Sequence, residues 1–464
     1  MFLFKSNLEK GIEILNTGKY DNAISHFSAM LSKNPDNCEA QFYLAKAYLK
    51  KGDTVKTKEN LLRCIELKAS DEIIQNITEI TNYKKISSDQ FYNTYLSFSN
   101  DGKKIVFISA RRDTNNDGRL NHLDNGGVYI IDTNGRNEKQ IVDDRYINSD
   151  CSFSPDGRYV IYLSRRRDTN NDGRIDSKDS PAIFIFDLEK GDEQVLVSDE
   201  IYNKKAVFSP NGKSVVFCGW RRLGGNSGIY SVDIKTKIIS ELVPDLYENT
   251  LPSISNNGQF VLYASWRTDT NGDGKIDFRD ASSVYLTDIT TKVTVQLTKD
   301  RFDNSFPEFS PDNKKIVYLS RRRDTNNDGK IDSLDFSGVY VLDIDKKIPE
   351  EIVSDNFFNK FPTFTGNIEN IVFLGSWRRK YRIKDEVVRD LFENKGVFIV
   401  NLKTKKTDTL VNDNYFSSSL PQVSKTNKVA YLSWRKTTRR GIFIRDIFKL
   451  PSLSELKEII QENL

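Results

Sequence analysis

One arginine returns seven times along the chain, as Arg111, Arg166, Arg221, Arg267, Arg322, Arg378 and Arg435, and one aspartate keeps step with it, as Asp89, Asp144, Asp199, Asp245, Asp300, Asp355 and Asp413. The intervals are 46–58 residues. A repeat of that length constrains the fold more than any motif inside it, because each copy is one supersecondary unit that must bury its faces on its neighbours. Within a copy, stretches such as CSFSPDGRYVIYLS, AVFSPNGKSVVFCG and PEFSPDNKKIVYLS hold two apolar strands around a tight Pro/Asp/Asn/Gly turn. A third strand follows, as in AIFIFDL or GVYVLDI, then a polar turn and a fourth strand such as EQVLVSD. Four short antiparallel strands make one blade. The copies therefore predict a mainly β, seven-bladed propeller over residues 82–448.

The two ends of this region explain how the ring closes. The last copy stops after its third strand, GIFIRDI, while Asp89 precedes the first complete copy in YKKISSDQFYN, which matches EKQIVDDRYIN around Asp144. Residues 83–88 are expected to supply the missing strand of blade seven, which leaves no free sheet edge. The period differs upstream. Gly11, Gly18, Tyr20, Ala23, Phe27 and Pro35, followed 34 residues on by Ala45, Tyr48, Gly52, Leu61 and Cys64, lie at helix–turn–helix offsets. Residues 1–78 accordingly resemble tetratricopeptide repeats and predict an α-helical arm. Two such repeats are few for a continuous core. The tail 449–464 opens with a capping box, Ser452 to Glu455, and carries Leu453, Leu456, Ile459, Ile460 and Leu464 on one stripe. That C-terminal helix is expected to pack on the arm.

Composition removes several functions. A formal charge of +4 is too small for a dedicated nucleic-acid binder. No apolar run is long enough for a membrane span, and MFLFKSNLEKGIEIL is no secretory signal, so the expected setting is cytoplasmic, with a periplasmic or cell-envelope location as the alternative. Cys38, Cys64, Cys151 and Cys218 sit in apolar patterns as buried free thiols, and no Cys/His cluster suggests zinc. His26 and His122, the two histidines, assemble no triad.

Four blades carry a 12-residue acidic loop between the second and third strands: DTNNDGRLNHLD (113–124), DTNNDGRIDSKD (168–179), DTNGDGKIDFRD (269–280) and DTNNDGKIDSLD (324–335). Side-chain oxygens recur at positions 1, 3, 5, 9 and 12, glycine at 6 allows a sharp bend, and position 7 offers its carbonyl. Such spacing suits a hard cation that needs six or seven oxygens. The loops resemble EF-hand and dockerin calcium loops, apart from Asp at position 12. The expected ligands of up to four Ca2+ ions are Asp113, Asn115, Asp117, Arg119, Asn121 and Asp124; Asp168, Asn170, Asp172, Arg174, Asp176 and Asp179; Asp269, Asn271, Asp273, Lys275, Asp277 and Asp280; and Asp324, Asn326, Asp328, Lys330, Asp332 and Asp335. Arg119, Arg174, Lys275 and Lys330 would act through their carbonyls. Leu or Ile at position 8 is expected to anchor each loop on the protein.

The repeated arginine and aspartate are expected to pair within each blade, or else the seven arginines form a cationic partner-binding ring that takes an acidic peptide or anion. Further arginines at 112, 165, 167, 222, 321, 323 and 379, with Trp220, Trp266, Trp377 and Trp434, are compatible with an interface, and blade packing accounts equally for the tryptophans. The FSPDG turn and the aromatic strand after it resemble the propeller repeats of the TolB family across 82–448. No G-x-S-x-G elbow of the related oligopeptidases is present. The leading expectation is a non-enzymatic, calcium-binding scaffold for a protein or peptide. A propeller hydrolase or lyase acting on a sugar or lactone, or an envelope ligand sensor, is the alternative.

Overall fold

The computed structural model describes residues 6–67, 69–81, 84–88, 90–220, 225–298, 302–327, 329, 331, 335–356, 358–383, 386–411, 417–434, 441–447 and 453–463. The chain divides into two units, one formed by Met1–Lys85 with Arg445–Leu464, the other by Ile86–Ile444.

Capping signals place the helices of the first unit. Ser6 and Glu9 form a reciprocal capping box that starts α1 (Asn7–Asn16). α2 spans Tyr20–Lys33. Asn37 accepts from the Ala40 N–H to start α3 (Cys38–Lys51), which ends where Gly52 turns left-handed at φ 79°. Asp53 caps α4 (Thr54–Glu66), and α5 covers Asp71–Thr81. Gly11 marks a close approach, because a Cβ there would lie 2.5 Å from the Phe27 ring. Phe27, Ala23, Leu44 and Ala47 fill the first core. A second core joins Phe42, Leu61, Cys64, Ile73 and Ile77 to Leu456 and Ile460 of α6 (Leu453–Asn463). The tail therefore completes the helical unit rather than standing apart. Leu453 departs from the expected stripe and is 49% exposed; Ser452 and Leu464 lie outside the described residues.

The second unit is a ring of seven four-stranded antiparallel sheets. Six use four consecutive strands. The seventh has Ser417–Val423, Lys428–Trp434 and Gly441–Asp446, and its outer edge is met by the chain at Ile86, whose N–H donates to the Ile442 carbonyl at 2.9 Å. The Ile442 N–H returns to the Ser87 Oγ, also at 2.9 Å. Each blade stacks one aromatic pair across its second and third strands, from Phe107–Tyr129 and Tyr162–Phe184 to Tyr431–Phe443. The FSPDG turns owe their shape to a hydroxyl. Ser154 donates to Asp156 and accepts from the Tyr159 N–H, and Ser99, Ser209, Ser255, Ser310, Thr365 and Ser424 begin the same turn in the other blades.

Blade six carries none of the acidic loops. Its strands lengthen instead into a hairpin, Asn370–Ile383 with Glu386–Asn401. The innermost strands of all seven blades enclose an axial cavity of about 580 Å3. No helix among the described residues is long and apolar enough to cross a membrane.

Candidate metal loops and the arginine cages

The described parts of the four acidic loops share one scheme. Asp at position 1 accepts the N–H of the glycine at position 6: Asp113 from Gly118 at 2.8 Å, Asp168 from Gly173 at 2.8 Å, Asp269 from Gly274 at 2.9 Å and Asp324 from Gly329 at 2.8 Å. These glycines have φ between 79° and 86°, a region that a Cβ disfavours. In the three loops described in full, Asn at position 3 and Asp at position 5 accept backbone N–H groups two residues on, as with Asn115 from Asp117 and Asp117 from Arg119. The chain is thereby wound around the side chains of positions 1, 3, 5 and 9. The amide nitrogens of Asn115 and Asn121 both lie 3.3–3.4 Å from the Asp117 Oδ2. In the third loop Arg279 fills this role, 3.1 Å from Asp277 and 3.7 Å from Asp273.

Position 12 behaves differently from the ligand expected there. Asp124, Asp179, Asp280 and Asp335 are 9%, 0%, 4% and 1% exposed, and their oxygens take backbone N–H groups at the loop neck. Asp179 accepts from Thr169 and from Asp176, both at 2.7 Å; Asp124, Asp280 and Asp335 accept in the same way from Thr114, Thr270 and Thr325. Burial alone would raise the Asp179 and Asp280 carboxyls, but the N–H donors outweigh it and hold both below the ordinary carboxylate range. This carboxylate closes the loop. Position 8 departs from the expected anchor in three loops, where Ile175, Ile276 and Ile331 are 43–45% exposed, whereas Leu120 is half-buried. Anchoring falls to the last residue of the second strand. Arg165, Trp266 and Arg321 donate to the carbonyls of Asp179, Asp280 and Asp335 at 2.9, 3.1 and 3.2 Å. Among the described residues no three His, Cys, Asp or Glu side chains gather as a metal would need, so a cation here must also draw on Asn side chains and carbonyls. Asp328, Lys330 and Asp332 lie outside the described residues.

The arginines also pair in an unexpected register. Asp144, Asp199 and Asp355 bind Arg112, Arg167 and Arg323, each one residue past the repeated arginine. The repeated residues instead enter aromatic cages. Arg111 lies 3.7 Å from the Tyr129 ring and 4.4 Å from Phe91, and its guanidinium reaches Glu138 at 2.7 Å. Arg166 stands between Phe184 and Tyr146 with Glu193, Arg267 between Tyr285 and Tyr247, and Arg322 between Tyr340 and Phe302. A Ser two residues earlier accepts from each Nε, at Ser109, Ser164, Ser265 and Ser320. These guanidiniums lie on rings of the third strands, and those of Arg111 and Arg166 also reach glutamates at or just before the fourth strand. Arg221 and Arg435, the Arg378 side chain, Asp89, Asp300 and Asp413 lie outside the described residues.

Sequence reasoning missed one repeated residue. Asn148, Asn203 and Asn359 are buried on the first strands and donate to Gly126, Pro181 and Ser337 at 2.8–2.9 Å, tying each strand to the segment before the third. The signal was present as an Asn two places into every first strand except the seventh.

Residues 118–276 match the family model of the TolB beta propeller domain, and residues 15–58 match a tetratricopeptide repeat. A Tol-Pal system protein TolB from Helicobacter hepaticus is 23% identical over 198 residues, 41% of this chain and 42% of that one. Dipeptidyl-peptidase 5 from Porphyromonas gingivalis is 26% identical over 183 residues, 37% of this chain and 23% of that one. The chain thus spans less than half the length of either relative. An oligogalacturonate lyase from Vibrio parahaemolyticus shares the fold with a TM-score of 0.56, at 15% identity over 79% of this chain and 93% of that one. These findings overturn the expectation that the chain is no enzyme. A peptidase stands among its relatives and a lyase among its neighbours, so this architecture gives no ground for excluding catalysis.

Proposed function

We propose that the chain is a protein- or peptide-binding propeller whose loop-bearing face is held rigid by up to four calcium ions, with the helical repeats as a second protein-binding element. The observation that carries this reading is the fourfold recurrence of one neck-closed acidic loop at the same point of four blades. Positions 1, 3, 5 and 9, with the carbonyl of position 7, would hold the ion, and position 12 would fix the loop. Neutralising the gathered carboxylates would be calcium's contribution. The TolB-type and tetratricopeptide matches support partners that are proteins. The Tol-Pal relatives lend the cytoplasmic setting no support, so the envelope alternative is the setting we infer, where calcium is plentiful enough for weak loops.

Thermal unfolding with added CaCl2 and with chelator tests the ion. Calcium at a hundred times its Kd is expected to stabilise the propeller by about 2.7 kcal/mol, and Asp168→Asn with Asp269→Asn is expected to reduce the gain. An unmoved transition refutes the calcium reading. Affinity capture from native extract with and without chelator tests the partner, and turnover of a sugar or lactone library would replace the binding reading with a catalytic one.

A further inference from the structure

The first strand of every blade breaks register at one place, between Thr94 and Ser97, Ser149 and Ser152, Lys204 and Val207, Thr250 and Ser253, Ser305 and Glu308, Lys360 and Thr363, and Ser419 and Gln422. In six blades the bulge holds a non-glycine residue at φ 49–55°: Tyr95, Asp150, Lys205, Leu251, Phe306 and Phe361. Such residues are strained, and bulges re-aim side chains. All six line the axial cavity. Their backbone is nearly constant while their chemistry differs at almost every blade, and the flanking Asn and Phe or Ile vary little. Uniform strain spent on unlike side chains around one cavity marks a recognition ring.

Charge within this ring is uneven. On one side Lys205 pairs with Asp150 at 3.4 Å. On the other, the rings of Phe306 and Phe361 pack edge to face, with centroids 5.4 Å apart and planes at 85°. Beside them stands Glu308, whose carboxylate accepts from the Thr363 hydroxyl at 2.8 Å. The same position in the other blades holds Ser97, Ser152, Val207, Ser253, Thr363 and Gln422. Among the described residues no cation stands beside Glu308.

We propose that the axial cavity binds an organic cation in which an ammonium or guanidinium adjoins a flat apolar group, the cation on Glu308 and the flat group on Phe306 and Phe361. This goes beyond the loop face, and rests on reading the propeller as a binding ring. The ligand charge is opposite to that expected from an arginine ring. Burial raises the Glu308 carboxyl to about 7, against the Thr363 hydrogen bond that lowers it. The other titratable side chains of the lining are Tyr95, Cys151, Asp150 and Lys205. Burial pushes the first two up, so they stay neutral near pH 7, and the last two are paired.

Calorimetry on the full chain with benzamidine, benzyl alcohol and benzoate tests the proposal. Benzamidine is expected to bind in preference to the other two, more tightly as pH rises from 6 to 8. Glu308→Gln is expected to lower benzamidine affinity at least about tenfold and to flatten the pH profile. Gln422 occupies the matching place in blade seven, so the variant should fold, with circular dichroism as the check. Phe361→Ala is expected to weaken benzamidine without changing the pH profile. Benzoate binding as well as benzamidine, or a folded E308Q with unchanged affinity, overturns the proposal. Partner capture on the loop face is a separate readout, and E308Q leaves it intact, so the two readings fail independently.

Discussion

At the scale of residues, chemical type and structural task separate. Asp168 and Asp179 belong to one loop and carry the same carboxyl, yet Asp168 curls the chain at an exposed surface while Asp179 is buried under backbone donors. Asp179→Asn turns a donor toward those N–H groups and is expected to lower stability by about 1–3 kcal/mol, read by chemical denaturation. The pH dependence follows from the lowered folded pKa of Asp179 and Asp280. Their contribution is present above the unfolded carboxyl value of about 3.9 and is lost as pH falls through the lower folded values. Acid titration of the native propeller should therefore show loss beginning below pH 4, and a loss centred near neutrality would contradict this assignment. The repeated arginines teach the same lesson. Arg111 was legible as a repeat, but its partner Glu138 and its aromatic walls come from residues far along the chain.

At the scale of elements, periodicity was a good guide to what forms and a poorer one to what is buried. The tail reads as an amphipathic helix, and Leu456 and Ile460 are fully buried on α4 and α5 partners such as Leu61 and Ile77. Leu453 lies on the same stripe and remains exposed. A stripe is wider than the contact it makes, and the neighbour's reach sets the edge. Leu456→Ala is expected to cost the helical unit about 2–5 kcal/mol, measured by denaturant unfolding followed at 222 nm, whereas Leu453→Ala should be nearly silent. Equal effects from both would mean that the tail packs otherwise.

At the scale of the whole molecule, closure of the ring is what joins the two ends of the propeller. Six blades are local in sequence, so each joins strands close along the chain. The seventh joins Ile86 to Ile442, across nearly the full length of the propeller. Loop-closure entropy must be met there before any contact repays it. Ile86→Pro removes the N–H that donates to Ile442. It is expected to cost about 1–3 kcal/mol and to expose the seventh sheet to association, seen as a lower unfolding midpoint with a rise in light scattering. A variant that melts and scatters light like the parent would show that the ring does not depend on this strand.

The sequence by itself determined the number of blades, the order of strands, the acidic loops and the helical arm. Each of these is written in local periodicity and turn chemistry, which a chain carries wherever it lies. The tertiary structure alone decided which arginine meets which aspartate, which loop carboxylate is buried at a neck, and that a single glutamate among six uncharged residues at equivalent bulges lines the axial cavity. Those outcomes depend on a one-residue register and on bulges that redirect a side chain, and such shifts leave the pattern of apolar and polar residues unchanged.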